Sequence, residues 1–102
     1  MRSRFAAYAL GLADYVMGTT HPLGGAFEAD RRAWEASIGA FCRGSEFVGL
    51  EVLESSDEER EGGVSFRAGL MQGGRDVSFT ERSRFVRDGE RWLYHTGEVL
   101  DA

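Results

Sequence analysis

Residues 77–87, Val-Ser-Phe-Thr-Glu-Arg-Ser-Arg-Phe-Val-Arg, place a carboxylate in the middle of what alternation makes an apolar strand face. Successive side chains of a strand point to opposite sides, so Val77, Phe79, Glu81, Ser83 and Phe85 share one face. Ser78, Thr80, Arg82 and Arg84 fall on the other, and Arg87 lies at the end. Glu81 and Ser83 therefore interrupt a face otherwise suited to burial. A buried carboxylate must be paired, hydrogen-bonded, protonated or open to a cavity, because an isolated charge is too costly to keep. Any fold this chain adopts has to give Glu81 one of those outlets.

The flanking pattern says what kind of fold that is. Phe5, Tyr8, Ala9 and Leu12 recur at helical spacing, Ala6 and Ala7 favour helix and Gly11 suits its end, so residues 2–11 are predicted as a first helix. Residues 13–19 predict a second short helix with Asp14 in its first turn, stopped by His21-Pro22. After Leu23-Gly24-Gly25, residues 27–41 carry Phe27, Trp34, Ile38 and Phe41 on one stripe and predict the longest helix, supported by the pairs Glu28/Arg32 and Arg31/Glu35. Beyond Gly44 the period drops to two. Val48, Leu50 and Val52 mark one face of a first strand, residues 54–61 read as an acidic solvated loop, and Val64, Phe66, Ala68 and Leu70 mark a second strand. Gly73-Gly74 and Asp88-Gly89 supply turns on either side of the strand at residues 77–87. A last strand, residues 91–97, carries Trp92 and Tyr94 on one face and Leu93 and His95 on the other. Three N-terminal helices followed by about four strands predict one α+β domain over residues 1–102, in which a curved antiparallel sheet closes over the helices as a cone with a pocket inside.

Composition narrows the chemistry. One cysteine, Cys42, excludes an internal disulfide and a Cys-rich zinc site, and with only His21 and His95 beside it no structural metal and no cofactor are expected. The chain has no lysine, which removes Schiff-base chemistry. A net charge of -5 disfavours nucleic acid and anionic membrane as partners. Neither an apolar run long enough to span a membrane nor a basic-then-apolar leader is readable, so the default placement is cytoplasmic.

The spaced groups Met1-Arg2-Ser3-Arg4-Phe5 through Tyr8, Ala13-Asp14-Tyr15, His21-Pro22, Gly49-Leu50, Val64-Ser65-Phe66, Gly73-Gly74, Glu81-Arg82-Ser83-Arg84-Phe85, and Trp92 with Tyr94 and Gly97 cover nearly the whole chain. Together they resemble the YchJ family of bacterial proteins, whose middle domain has the nuclear transport factor 2-like fold of the SnoaL-like superfamily. The resemblance implies that cone fold and carries no settled biochemical activity. Relatives usually bear cysteine-rich SEC-C zinc motifs at their ends, and this chain looks like the middle domain without them. It departs from the family pattern at Thr20 and at Phe47-Val48, where tryptophans are usual, and at Gly69, where an arginine is common. Any site built from those groups is in doubt here.

Two readings of the acid on the apolar face stay open. In one, Arg4 or Arg2 on the first helix forms a buried ion pair with Glu81 that pins helix to sheet, and the domain is a structural or protein-interaction module. In the other, Glu81, Ser83, Tyr8, Arg4 and Tyr15 line a cone pocket whose mouth lies near His21, and the domain binds a small molecule or performs acid-base chemistry. Ketosteroid isomerase and scytalone dehydratase, which share the wider fold, work in such cones, but that is analogy of fold alone. The catalytic candidates are Glu81 and His21; His95 carries less weight, and whether the domain is an enzyme is open. Arg82, Arg84 and Arg87 form a basic row on the outer sheet face that a homodimer or another protein could cover, pairing it with Glu51 or Glu54. The lost tryptophans and arginine tilt the balance toward the module.

Overall fold

Alanine and straight-chain residues carry the first helix, α1 (Arg2–Ala9), until Gly11 takes a φ of 71° that an L side chain resists. The Leu12 N–H then reaches back to the Ala7 carbonyl at 2.7 Å, and the chain turns at once into α2 (Ala13–Gly18), with Asp14 in its first turn. A computed structural model describes residues 1–100; the last two positions of the expected domain lie outside the described residues.

The third helix, α3 (Arg31–Gly44), starts four residues later than its apolar stripe predicts. Asp30 decides this: its carboxylate accepts the Ala33 N–H at 3.1 Å and caps the helix. Phe27 is left outside, its ring meeting Trp34 edge-on at 5.0 Å. Glu28 also falls before the helix, so it is no intrahelical partner of Arg32. The three helices meet on Ala7, Val16, Met17, Trp34 and Ile38, all buried.

The strands β1 (Glu46–Asp57), β2 (Glu61–Gln72), β3 (Arg75–Asp76), β4 (Phe79–Asp88) and β5 (Arg91–Leu100) form one antiparallel sheet in the order β1-β2-β4-β5, with the short β3 paired to β2. The acidic segment expected to be a loop is mostly strand. Glu54 to Asp57 pair with Ser65 to Gly62, leaving only residues 58–60 to turn. Their side chains are exposed at the edge of the sheet, so no apolar period marks them, and charge there suits an edge. Nor do Val48, Leu50 and Val52 share a face. A bulge between Phe47 and Gly49 turns Val48 outward and brings Phe47 opposite Leu70, while Leu50 and Val52 stand opposite Ala68 and Phe66. Phe47 thereby meets Phe5, Tyr8 and Phe41 at 5.5, 6.4 and 5.9 Å, locking α1 and α3 against the sheet.

On β4 the face carrying Phe79, Glu81, Ser83 and Phe85 does turn inward, as alternation requires: Ser83 and Phe85 are buried and Phe79 meets Phe66. A further bulge, in β5, makes His95 the extra residue between Tyr94, opposite Phe85, and Thr96, opposite Arg84. The segment leaving α2 runs along this bulge, since the Tyr94 N–H donates to the Thr19 carbonyl at 2.7 Å and the His21 N–H to the Tyr94 carbonyl at 2.8 Å. Gly24 completes the approach. A Cβ there would overlap the His95 carbonyl. Among the described residues no helix is long and apolar enough to cross a membrane.

Replacing Asp30 by Ala should cost about 1 kcal/mol, the usual worth of an N-cap. Urea unfolding of the two proteins checks it, and an unchanged midpoint would remove Asp30 as the reason the helix starts at Arg31.

Candidate functional site

Alternation points Glu81 inward, and two hydroxyls meet it there. Ser83, two residues on along the same face, donates to Glu81 Oε2, and the Tyr94 hydroxyl donates to the same oxygen at 3.0 Å. Among the described residues no hydrogen bond reaches Oε1. The bulge at His95 is what lets Tyr94 and Gly97 occupy the same face, and Gly97 has no side chain for a physical reason. A methyl there would collide with the Tyr94 hydroxyl and stand 2.7 Å from the Glu81 carboxyl carbon.

Arg4 is buried, at 5% exposure, but its partner is not Glu81. Its Nη1 donates to the Val16 carbonyl at 3.1 Å and to the Thr19 and Thr20 hydroxyls at 2.8 and 3.2 Å, while Nε is buried without a partner. The guanidinium lies 4.6 Å over the Tyr94 ring. The expected Arg4–Glu81 ion pair is therefore absent among the described residues, and Arg2 is exposed. Thr19 and Thr20 hold the guanidinium on the α2 side, and Tyr94 links it to Glu81: face toward the cation, hydroxyl toward the acid. Burial lowers Arg4 from its ordinary value against the opposing pull of Tyr8, Tyr94 and Glu81. Burial also pushes the Tyr94 phenol up, helped by the Glu81 charge and hydrogen bond, and pushes Tyr8 up against the effect of Arg4.

Arg4, Tyr8, Glu81 and Tyr94 border a cavity of about 190 Å³ whose other walls include Phe5, Phe41, Phe47, Phe66 and Phe79. Three of the expected pocket residues thus converge, and Ser83 supports Glu81 from behind. Tyr15 does not join them. It is 43% exposed, donates to the Ser3 hydroxyl at 2.8 Å and borders a separate, larger hollow. Nor does His21 sit at a mouth of the Glu81 cavity. Its backbone is tied to Tyr94 and its ring lies 5.0 Å from that of His95, because the segment after α2 pairs with β5 instead of arching over the cone. Cys42 packs against the helical core, where burial raises its thiol. Among the described residues no three of His, Cys, Asp and Glu converge as a metal site requires. On the outer face Arg82 meets Glu98 at 3.6 Å and Arg84 meets Glu61, while Glu51 and Glu54 stand opposite Arg67 and Ser65. β2 separates those two acids from the basic row within the sheet.

The residues missed by sequence reasoning are Tyr94, as the group on Glu81, and Thr19, Thr20 and Gly97. Thr20 is 4% exposed and supplies an acceptor to Arg4.

With that geometry in place, the chain can be compared with known proteins. Residues 1–97 match the family described as YchJ, middle NTF2-like domain. The chain belongs to that family. A UPF0225 protein of Vibrio vulnificus is 39% identical over 99 residues, covering 95% of this chain and 56% of that protein. The UPF0225 protein YchJ of Shigella dysenteriae is 37% identical over 99 residues, covering 95% of this chain and 62% of that protein. The YchJ-type chain described here thus spans little more than half the length of such relatives. Among solved structures, a SEC-C motif containing protein from Rhodopseudomonas palustris is 38% identical with a TM-score of 0.80, covering 99% of this chain and 76% of that one. A SEC-C motif containing protein from Psychrobacter arcticus, at 22% identity and a TM-score of 0.74, shares the fold; it covers 100% of this chain and 59% of that one. The expected α+β, NTF2-like architecture holds.

Two outcomes follow from the Arg4–Tyr94–Glu81 arrangement. Arg4→Met should destabilise the fold by about 2 to 3 kcal/mol, since several hydrogen bonds to a buried cation are lost together. A loss below about 0.5 kcal/mol in urea unfolding, the level of an ordinary surface change, would deny Arg4 this role. Because the Tyr94 phenol titrates higher in the folded chain than its ordinary 10.0, its contribution is complete below about pH 10 and declines as the pH rises further. Tyr94→Phe should flatten that alkaline decline in urea midpoints, and an unchanged slope would count against it.

Proposed function

We propose that this YchJ-family domain binds a small, mostly apolar molecule carrying a hydrogen-bond donor, which enters the aromatic cavity and is received by Glu81. The observation that carries this reading is the one-sided bonding of the carboxylate: both internal donors fall on Oε2 of a residue that borders a cavity. A carboxylate whose work were only structural would use both oxygens, or pair with the nearby cation. The volume of about 190 Å³ limits the guest to roughly one ring, since a cavity of about 150 Å³ accommodates benzene. Acid-base turnover is the chemical extension of the same geometry, with Glu81 taking a proton from the bound donor and Ser83 and Tyr94 holding it in place.

A structural or interaction module is the second reading, and a specific observation favours it. The cavity falls below the roughly 300 to 1,000 Å³ of ordinary ligand pockets, and Arg4 ties α1 to the end of α2 whether or not anything binds. In that reading the outer sheet face is where a second copy or another protein docks.

Phenol and anisole separate the two. In amide-detected NMR, phenol should give saturable shifts at Tyr8, Phe79 and Glu81, and Glu81→Gln should weaken it about tenfold while leaving anisole, which has no donor, little changed. No saturable response from the folded domain to either compound would leave the module as the account.

A further inference from the structure

The hollow bordered by Tyr15 has a chemistry of its own. It measures about 860 Å³, shares Met1 and Arg4 with the Glu81 cavity, and is bordered by neither Glu81, Tyr8 nor Tyr94. Val64, Phe85 and Trp92 form an apolar wall at the far end of the sheet, and Ser3, Tyr15 and Thr19 offer hydroxyls from the helices. Two guanidinium groups reach it. Arg4 comes from α1 and Arg91 from the start of β5, and both are anchored at the end of α2, Arg4 on the Val16 carbonyl and Thr19 hydroxyl, Arg91 on the Gly18 carbonyl. Its acids, Asp14 and Asp57, are exposed, and Asp14 faces Arg31 at 3.9 Å.

Capping of the last α2 carbonyls explains part of this, because cationic side chains commonly satisfy helix C-terminal carbonyls. It accounts for Nη1 of Arg4 and for Arg91. It leaves the other edge of the Arg4 guanidinium unexplained. Nη1 makes every hydrogen bond the group forms among the described residues, Nε is buried with no acceptor, and Nη2 makes none. Nε is enclosed, so what a guest in the hollow meets is the charge of a guanidinium that no carboxylate of the described residues balances. Burial without an anion is costly for a cation 5% exposed, and no carboxylate of the described residues pairs with it. An incoming anion meets two fixed cations and a flat indole.

We infer that this hollow is a binding site for a planar aromatic carboxylate of one or two rings, its carboxylate beside the unbalanced charge of Arg4 with Arg91 as the second cation, and its ring against Trp92 and Phe85. The site differs from the Glu81 cavity in both guest and charge. A carboxylate is repelled from the neighbourhood of Glu81 and drawn to the two arginines, whereas a neutral donor suits Glu81.

The test uses benzoate and indole-3-acetate against benzamide and indole-3-acetamide, with the isotopically labelled chain followed by NMR at the Trp92 indole N–H and the Arg4 Nε–H. The acids should bind saturably at both reporters and about tenfold more tightly than the amides, the difference expected for a charge-assisted hydrogen bond. Arg91→Gln, at an exposed residue, should weaken the acids about tenfold and hardly affect the amides. Equal affinity for acid and amide, no saturation, or an Arg91→Gln variant that binds the acids as well as the parent would each overturn the assignment. Acid-induced shifts at Tyr8 and Phe79 in place of Trp92 would also overturn it, moving the guest to the Glu81 cavity.

Discussion

A single buried cation organises the contacts around it. Arg4 reaches across from α1 to the end of α2, takes the Thr19 and Thr20 hydroxyls there, and lies flat on the ring of Tyr94 from β5. The same segment of α2 exit pairs by its backbone with Tyr94, so the side-chain and main-chain ties converge on one residue of the sheet. Threonine at position 20 fits this geometry in a way a large ring does not. It is small enough to be buried beside the guanidinium and carries an oxygen that accepts from it while donating to the Val16 carbonyl at 2.7 Å.

The bulge at His95 then determines what Glu81 experiences. Without an extra residue in β5, strict alternation would put Gly97 on the face opposite Tyr94, and a side chain on the inner face would crowd the carboxylate. With it, Tyr94 supplies a hydroxyl and Gly97 supplies room. The carboxylate is thus hydrogen-bonded by hydroxyl donors, while Arg4 acts on it by charge across the ring and without a hydrogen bond. That distinction matters chemically. An arginine bound directly would fill the acceptor positions of Glu81 and neutralise it, whereas the intervening tyrosine leaves one oxygen for something else.

How far the sequence discloses this depends on whether a residue obeys a period. The inward face of β4 is legible because Phe79, Glu81, Ser83 and Phe85 follow the strand period without a break, and the order of helices and strands is legible from the change of period after Gly44. The start of α3 is not legible from the apolar stripe, which reaches back to Phe27; the Asp30 cap prevails because it satisfies an N–H that the stripe cannot. The second half of β1 has no apolar period because its side chains are exposed at an edge. Tyr94, Thr19 and Thr20 could not be found by spacing, since their role depends on a bulge and on a parallel pairing between segments far apart in the chain.

The placement of charge argues against a single purpose for the interior. On one side of Tyr94 stands an acid with an unused oxygen; on the other stands a cation with an unused edge. Had the chain been selected only for a tie between α1 and the sheet, direct pairing of Arg4 with Glu81 would have satisfied both groups, and a compact partner could have replaced the tyrosine. Inserting an aromatic ring keeps the two charges apart while still coupling them electrostatically, with Glu81 bordering the aromatic cavity and Arg4 bordering both. Occupation of either cavity changes the charge seen by the Tyr94 ring and hydroxyl. On the two proposed readings, a guest at Arg4 and a guest at Glu81 would be linked through one side chain, whose backbone also anchors the exit of α2.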